Sequence, residues 1–129
     1  MMGGLGDDAP HLPHPAPIEA YGNGGFRFGG MSHRGSLLCL PDGVWAWPVT
    51  SAAAVTEAML APVFARGDVL DVFLIGAGRD PWVLPPALRA LFQQHSISVD
   101  AMTTGSAVRT YNILLGENRR AGVGLIAVE

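Results

Sequence analysis

Residues 69–79, VLDVFLIGAGR, decide the fold of this chain. From Val69 to Ile75 the run is β-branched and apolar, and it ends in Gly76-Ala77-Gly78. A short run of this kind bounded by glycines predicts a strand covered on both faces. The two glycines predict a backbone that turns sharply or approaches a neighbour closely. In open α/β sheets the carboxyl end of such a strand is where ligands bind.

Working outward, the chain after this turn alternates helix and strand. Residues 85–95 predict a helix, opened by Pro85, whose missing N–H suits a first turn. Leu84, Leu88, Leu91 and Phe92 recur at i, i+4, i+7 and i+8 and form its apolar stripe. Residues 97–102 predict a second strand, parallel to the first because a helix joins them. Thr103 or Thr104 caps the next helix, 105–115, which carries Val108, Tyr111 and Leu115 on its apolar face. Ser106, Arg109 and Asn112 repeat every three residues and make a drifting polar stripe. Glu117 to Arg120 form a polar turn, and 123–128 read as a final buried strand with Gly122 and Gly124 marking close packing.

Before the central strand the signals are hairpins. Residues 18–21 and 26–28 flank Gly22-Asn23-Gly24-Gly25, with Phe26 and Phe28 on one face and Arg27 on the other. Residues 35–40 and 43–47 flank the turn Pro41-Asp42-Gly43. Trp45 and Trp47 share one face, read as covering the core rather than as a ligand platform. Cys39 reads as a small core residue. Residues 50–66 are Ala-rich and helical in character, with Thr56 as an N-cap and Gly67 as a stop. Pro62 predicts either two short helical pieces or one kinked helix. Residues 1–17 are rich in Pro and Gly and predict a flexible tail, in which His11 and His14 are solvated rather than metal ligands. The expected architecture is a single α/β domain over 18–129, with a mixed β-sheet, N-terminal β-hairpins, a β-α-β-α-β C-terminal half and helices packed on the sheet.

Composition narrows the function classes. The 129 residues suffice for one domain without a metal or disulfide staple. A formal net charge of −3, with eight scattered arginines as the only Lys or Arg, argues against a nucleic-acid surface. One cysteine excludes an internal disulfide and a Cys-based metal framework. Charged residues make up only 15 %, which points to a surface that meets a protein partner or a second copy. No run reaches the ~20 apolar residues that span a bilayer. No secretory or mitochondrial leader pattern is present at the start, so the cytoplasm is the expected location. No metal site and no cofactor are expected.

Two constellations carry chemistry. Gly76, Gly78 and Arg79, at a strand-to-helix junction, present backbone N–H groups and a cation to an anion or polar ligand, or else make a tight structural turn. A dinucleotide fingerprint would need glycine at Pro81, and a P-loop would need Gly-Lys-Ser/Thr. Arg109, Asn112, Glu117 and Arg119 offer a second arrangement, suited to a carboxylate or amide. Its alternative is a salt-bridge network that fixes the helix-to-strand turn. No nucleophile set is visible in the sequence, so no catalytic residue is expected, although a spatially assembled site stays open.

The order Leu74-Ile75-Gly76-Ala77-Gly78, then Leu84-Pro85 opening a helix, then Ala107-Val108-Arg109-Thr110-Tyr111-Asn112-x-Leu114-x-x-Glu117-x-Arg119, resembles a small single-domain family. That family includes mitochondrial complex I (NADH:ubiquinone oxidoreductase) assembly factor 3, the adipogenesis-associated domain protein and many bacterial members. The resemblance covers essentially residues 18 to 128. It implies a compact α/β domain, and an assembly or scaffolding role for the mitochondrial members, with no established catalytic residues. The expected function is therefore a non-enzymatic interaction or assembly-factor-like protein, with a membrane complex among the candidate partners. The alternative is a small-molecule binding protein for an anion or carboxylate, or an unrecognised enzyme, with its site at the turn from Gly76 to Arg79.

Overall fold

In the computed structural model, which describes residues 10–129, the strands are β1 (Ile18–Gly22), β2 (Gly25–Phe28), β3 (Met31–Arg34), β4 (Leu37–Leu40), β5 (Gly43–Ala46), β6 (Val72–Gly76), β7 (Ser98–Met102) and β8 (Ala121–Leu125). The helices are α1 (Glu57–Phe64), α2 (Pro86–Gln94) and α3 (Thr104–Gly116), with a 3-10 turn at Ala52–Ala54. The strands form two sheets. One is an antiparallel β1-β2-β3 meander, and the other has the order β5-β4-β8-β6-β7. The expected mixed sheet is the five-stranded one, in which β6 lies parallel to both β7 and β8, and β4 lies antiparallel to β8.

Chirality fixes where the helices go. The step from β6 to β7 and the step from β7 back to β8 run in opposite directions across the sheet. Right-handed crossovers then put α2 and α3 on opposite faces. The packing agrees. Leu88 and Phe92 of α2 join Phe73, Ile75, Trp45 and Trp47 in one core, together with Leu60 and Val63 of α1. Val108 and Tyr111 of α3 join Leu74, Val123, Leu37 and Cys39 in the other. Ile18, Phe26 and Phe28 of the small sheet belong to this second core. Strand alternation divides the side chains of β4, β6 and β8 between the two cores.

The glycines of β8 sit where the α1/α2 core comes closest to the sheet. A Cβ on Gly124 would lie 2.5 Å from the Trp47 ring, and one on Gly122 would lie 3.2 Å from the ring of Phe73. The Trp47 indole packs flush on the strand, and its Nε1 donates to the Met59 carbonyl at 3.1 Å. Trp45 and Trp47 are thus core residues, as their pattern indicated. Outside the core, Arg66 lies over the Trp45 ring and grips both Asp42 oxygens at 2.7 and 2.9 Å. That contact holds the Asp42 carboxyl below its usual range.

Several boundaries differ from the sequence expectation. The central strand begins at Val72 rather than Val69, because the Val69 N–H donates to the Arg66 carbonyl and continues the turn out of α1. Pro62 lies inside a continuous α1. The break falls earlier, where Thr56 accepts from the Met59 N–H and starts the helix afresh. Strand β3 was not expected, because its sequence MSHR lacks apolar alternation. Its turn signal is Gly29-Gly30, both at positive φ. Thr103, not Thr104, caps α3 by accepting from the Ser106 N–H. Of the expected N-terminal tail, residues 1–9 lie outside the described residues. Beyond them His11 and Leu12 pair with Val44 on the outer edge of β5.

Candidate functional site

The site is built where β6 ends. A side chain on Gly76 would lie 3.0 Å from Ala107 Cβ, Leu125 Cδ2 and Thr104 Cα, so glycine is what lets α3 settle against the sheet. Gly78, with φ of +102°, then turns the chain away, a conformation costly for any residue with a Cβ. Between these segments sits Thr104, fully buried. Its Oγ1 accepts from the Gly78 N–H at 3.0 Å and donates to the Ile126 carbonyl at 2.7 Å. Its own N–H donates to the Gly78 carbonyl. Buried Ser36 acts in a similar way one residue on, donating to the Val49 carbonyl at 2.6 Å and accepting from the Ala127 N–H at 3.0 Å.

These two hydroxyls fix the walls of an open groove of about 420 Å³ at the carboxyl ends of β6 and β8. Gly78, Arg79 and Trp82 line one part, Thr50 and Ser51 another, and the segment from Ile126 to Glu129 a third. Arg79 Nη2 donates to the main-chain oxygen of Glu129 at 2.7 Å. This is the location that open α/β sheets reserve for ligands.

The sequence-nominated residues divide. Gly78 and Arg79 line the groove, while Gly76 is a packing position beneath it. None of Arg109, Asn112, Glu117 and Arg119 lines it. Arg109 is exposed and among the described residues reaches Ser106 Oγ, at 3.4 Å. Asn112 faces the small sheet. Its side-chain oxygen accepts from the Ile18 N–H and its amide donates to the Ile18 carbonyl, both at 2.9 Å. Glu117 caps the end of α3, and the ion pair at the following turn joins Arg120 to Asp71 at 2.8 Å. The polar stripe therefore holds two sheets together through Asn112. Thr104, Ser36 and Trp82 had not been nominated. The doubled Thr103-Thr104 was the available signal, since only one of two adjacent threonines caps a helix.

Away from the groove, two titratable groups lie in the packed core, Cys39 and Tyr111. Complete burial pushes the Cys39 thiol up to about 12, and burial, with Cys39 nearby, raises the Tyr111 phenol. Among the described residues, no group of three or more His, Cys, Asp or Glu is placed to hold a metal ion. No helix among them is long and apolar enough to cross a membrane.

Residues 18–126 match the model of a family described as proteins of unknown function (DUF498/DUF598). The chain belongs to this family. An uncharacterized protein of Rhodobacter capsulatus is 36 % identical to it over 91 % of this chain and 89 % of its own length. The chain is also 30 % identical to the Drosophila melanogaster NADH dehydrogenase [ubiquinone] 1 alpha subcomplex assembly factor 3, over 84 % of this chain but 57 % of that protein. Among solved structures it is similar to a Bartonella henselae chain described as an outer membrane protein. That match has 47 % identity, covers 92 % of this chain and 100 % of the other, and has a TM-score of 0.89.

Proposed function

We propose that this DUF498/DUF598 protein is a non-enzymatic interaction protein of the assembly-factor kind, which receives a segment of a protein partner in the groove beside Arg79. The observation that carries the reading is its relation to an assembly factor of NADH dehydrogenase across 84 % of its length. The groove supports it. It is open, its walls are largely backbone and apolar side chains, and Arg79 sits at its rim with its guanidinium already on a main-chain oxygen, that of Glu129. A partner segment offers the same kind of acceptor. On this reading the protein acts in the cytoplasm on a partner that is part of a membrane complex.

The test is deletion of the gene in its own cells, followed by native electrophoresis of the respiratory complexes. Deletion is expected to lower the amount of intact NADH dehydrogenase. Wild-type protein restores it, and the Arg79→Glu variant, folded by circular dichroism, does not. Undiminished complex in the deletion strain sinks the reading.

Arg79 at a glycine turn also favours a second reading, in which the groove holds a small carboxylate or other anion. Titration calorimetry with citrate and inorganic phosphate tests it. Heat that vanishes in Arg79→Glu would support it, and no heat at millimolar ligand would remove it.

A further inference from the structure

The two sheets have four outermost strands, β1, β3, β5 and β7, and the free edges of three of them differ in what meets them. The free edge of β5 is covered by the chain itself, with the His11 N–H on the Val44 carbonyl and the Val44 N–H on the Leu12 carbonyl. The free edge of β1 is met by the Asn112 side chain, which satisfies both backbone groups of Ile18. Among the described residues, nothing covers strand β7 in this way. The Ser98 N–H donates to the Asp71 carbonyl and the Ala77 N–H to the Met102 carbonyl. In a parallel ladder alternate residues face the neighbour, so Ser98, Asp100 and Met102 pair with β6. Val99 and Ala101 therefore turn their N–H and C=O groups outward. An uncovered edge of this kind is a template for another strand.

Asp100, exposed at the centre of β7, selects among occupants. Its carboxylate makes no hydrogen bond or ion pair with the described residues. Of the two-fold antiparallel registers open to a second copy, the one that uses all four outward groups of β7 pairs Val99 with Ala101 of the other copy and sets the two Asp100 side chains directly opposite. Cross-strand neighbours have Cβ atoms about 5 Å apart, and like charges there are destabilising. A strand with Lys or Arg at that position gains an ion pair in the same register.

We infer that the outer edge of β7 is a docking surface for an extended protein segment that carries a basic residue opposite Asp100, and that Asp100 prevents the edge from pairing with a second copy. The inference adds a partner chemistry to the interaction reading at a strand that does not line the groove. Its test uses purified protein alone, so its failure is separate from that of the cellular assay.

The probes are two acetylated, amidated peptides, TVTKTVT and TVTETVT. The wild-type chain is expected to bind the Lys peptide about fivefold to tenfold more tightly, the size of a cross-strand charge pair against a like-charge pair. Binding should slow amide exchange at Val99 and Ala101. Asp100→Lys should reverse the preference. Asp100→Asn should self-associate in analytical ultracentrifugation where the wild type stays monomeric, and adding Ala101→Pro, which removes an outward N–H, should abolish that association. Equal binding of both peptides by the wild type overturns the inference, as does unchanged exchange at Val99 and Ala101. A wild-type dimer that Ala101→Pro dissociates assigns the edge to a second copy and overturns it too. The wild-type measurements stand if a variant fails to fold.

Discussion

Thr104 Oγ1 donates to the Ile126 carbonyl at 2.7 Å, joining the first turn of α3 to the residue that follows β8. Because the same oxygen accepts from the Gly78 N–H, one buried hydroxyl holds three chain segments at the base of the groove. Thr104→Val keeps the shape and leaves a carbonyl and an N–H without their partner. The expected loss is about 2 kcal/mol, measured by urea denaturation, with most of it recovered in Thr104→Ser.

Asn112 binds Ile18 as a neighbouring strand would, accepting from its N–H and donating to its carbonyl. Asn112→Ala removes both contacts to Ile18, which is only 4 % exposed. Stability should fall by about 1 to 3 kcal/mol. The Ile18 amide should lose its protection against hydrogen exchange, while amides of β6 and β8 keep theirs until the whole domain opens.

The Gly124 contact makes a steric prediction. A methyl group there meets the Trp47 ring at 2.5 Å, and the ring is tethered through Nε1 to Met59. Gly124→Ala should cost about 1 to 3 kcal/mol by overpacking. The Trp47→Leu background should make the same substitution less costly, which a double-mutant cycle would read as coupling between the two sites. Additive losses would show that the strand, not the ring, absorbs the methyl.

His33 sets an acid limit. Its ring lies 4.8 Å from that of His11, and its Nε2 lies 3.2 Å from the Ser36 carbonyl. Burial, then the neighbouring His11, lowers its pKa below the ordinary 6.5, and the Ser36 contact offsets part of this. The unfolded chain therefore binds this proton more readily than the folded one. The contribution of His33 to stability is level above pH 6.5 and is lost as the pH drops from there through the folded pKa. Denaturation at pH 7.5 and pH 5 should show the decline, and His33→Gln should reduce it. An equal decline in that variant would place the effect elsewhere.

The central strand, its glycine turn and the following helix were legible because each has its own local signature: a continuous apolar run, a Gly-x-Gly turn, and a proline-started periodic stripe. The packing role of Gly122 and Gly124 was legible for the same reason. Strand β3 was not, since its inward-facing residues Met31 and His33 are only half-buried and its sequence shows no alternation. The polar stripe of α3 was visible as a stripe, but periodicity cannot say what a stripe faces. Asn112 turned out to meet a backbone 94 positions away in the chain. Thr104 was hidden by its neighbour, because a sequence offers both threonines to the same cap.

Cys39 lies on β4 between β5 and β8, fully buried, with its thiol pushed up to about 12. A thiol in that position is neither ionised nor reachable until the middle of the large sheet comes apart. The one cysteine of this chain therefore serves as a label-free clock of global opening. Its rate of alkylation in dilute denaturant reports how often the domain unfolds, without a probe having been introduced.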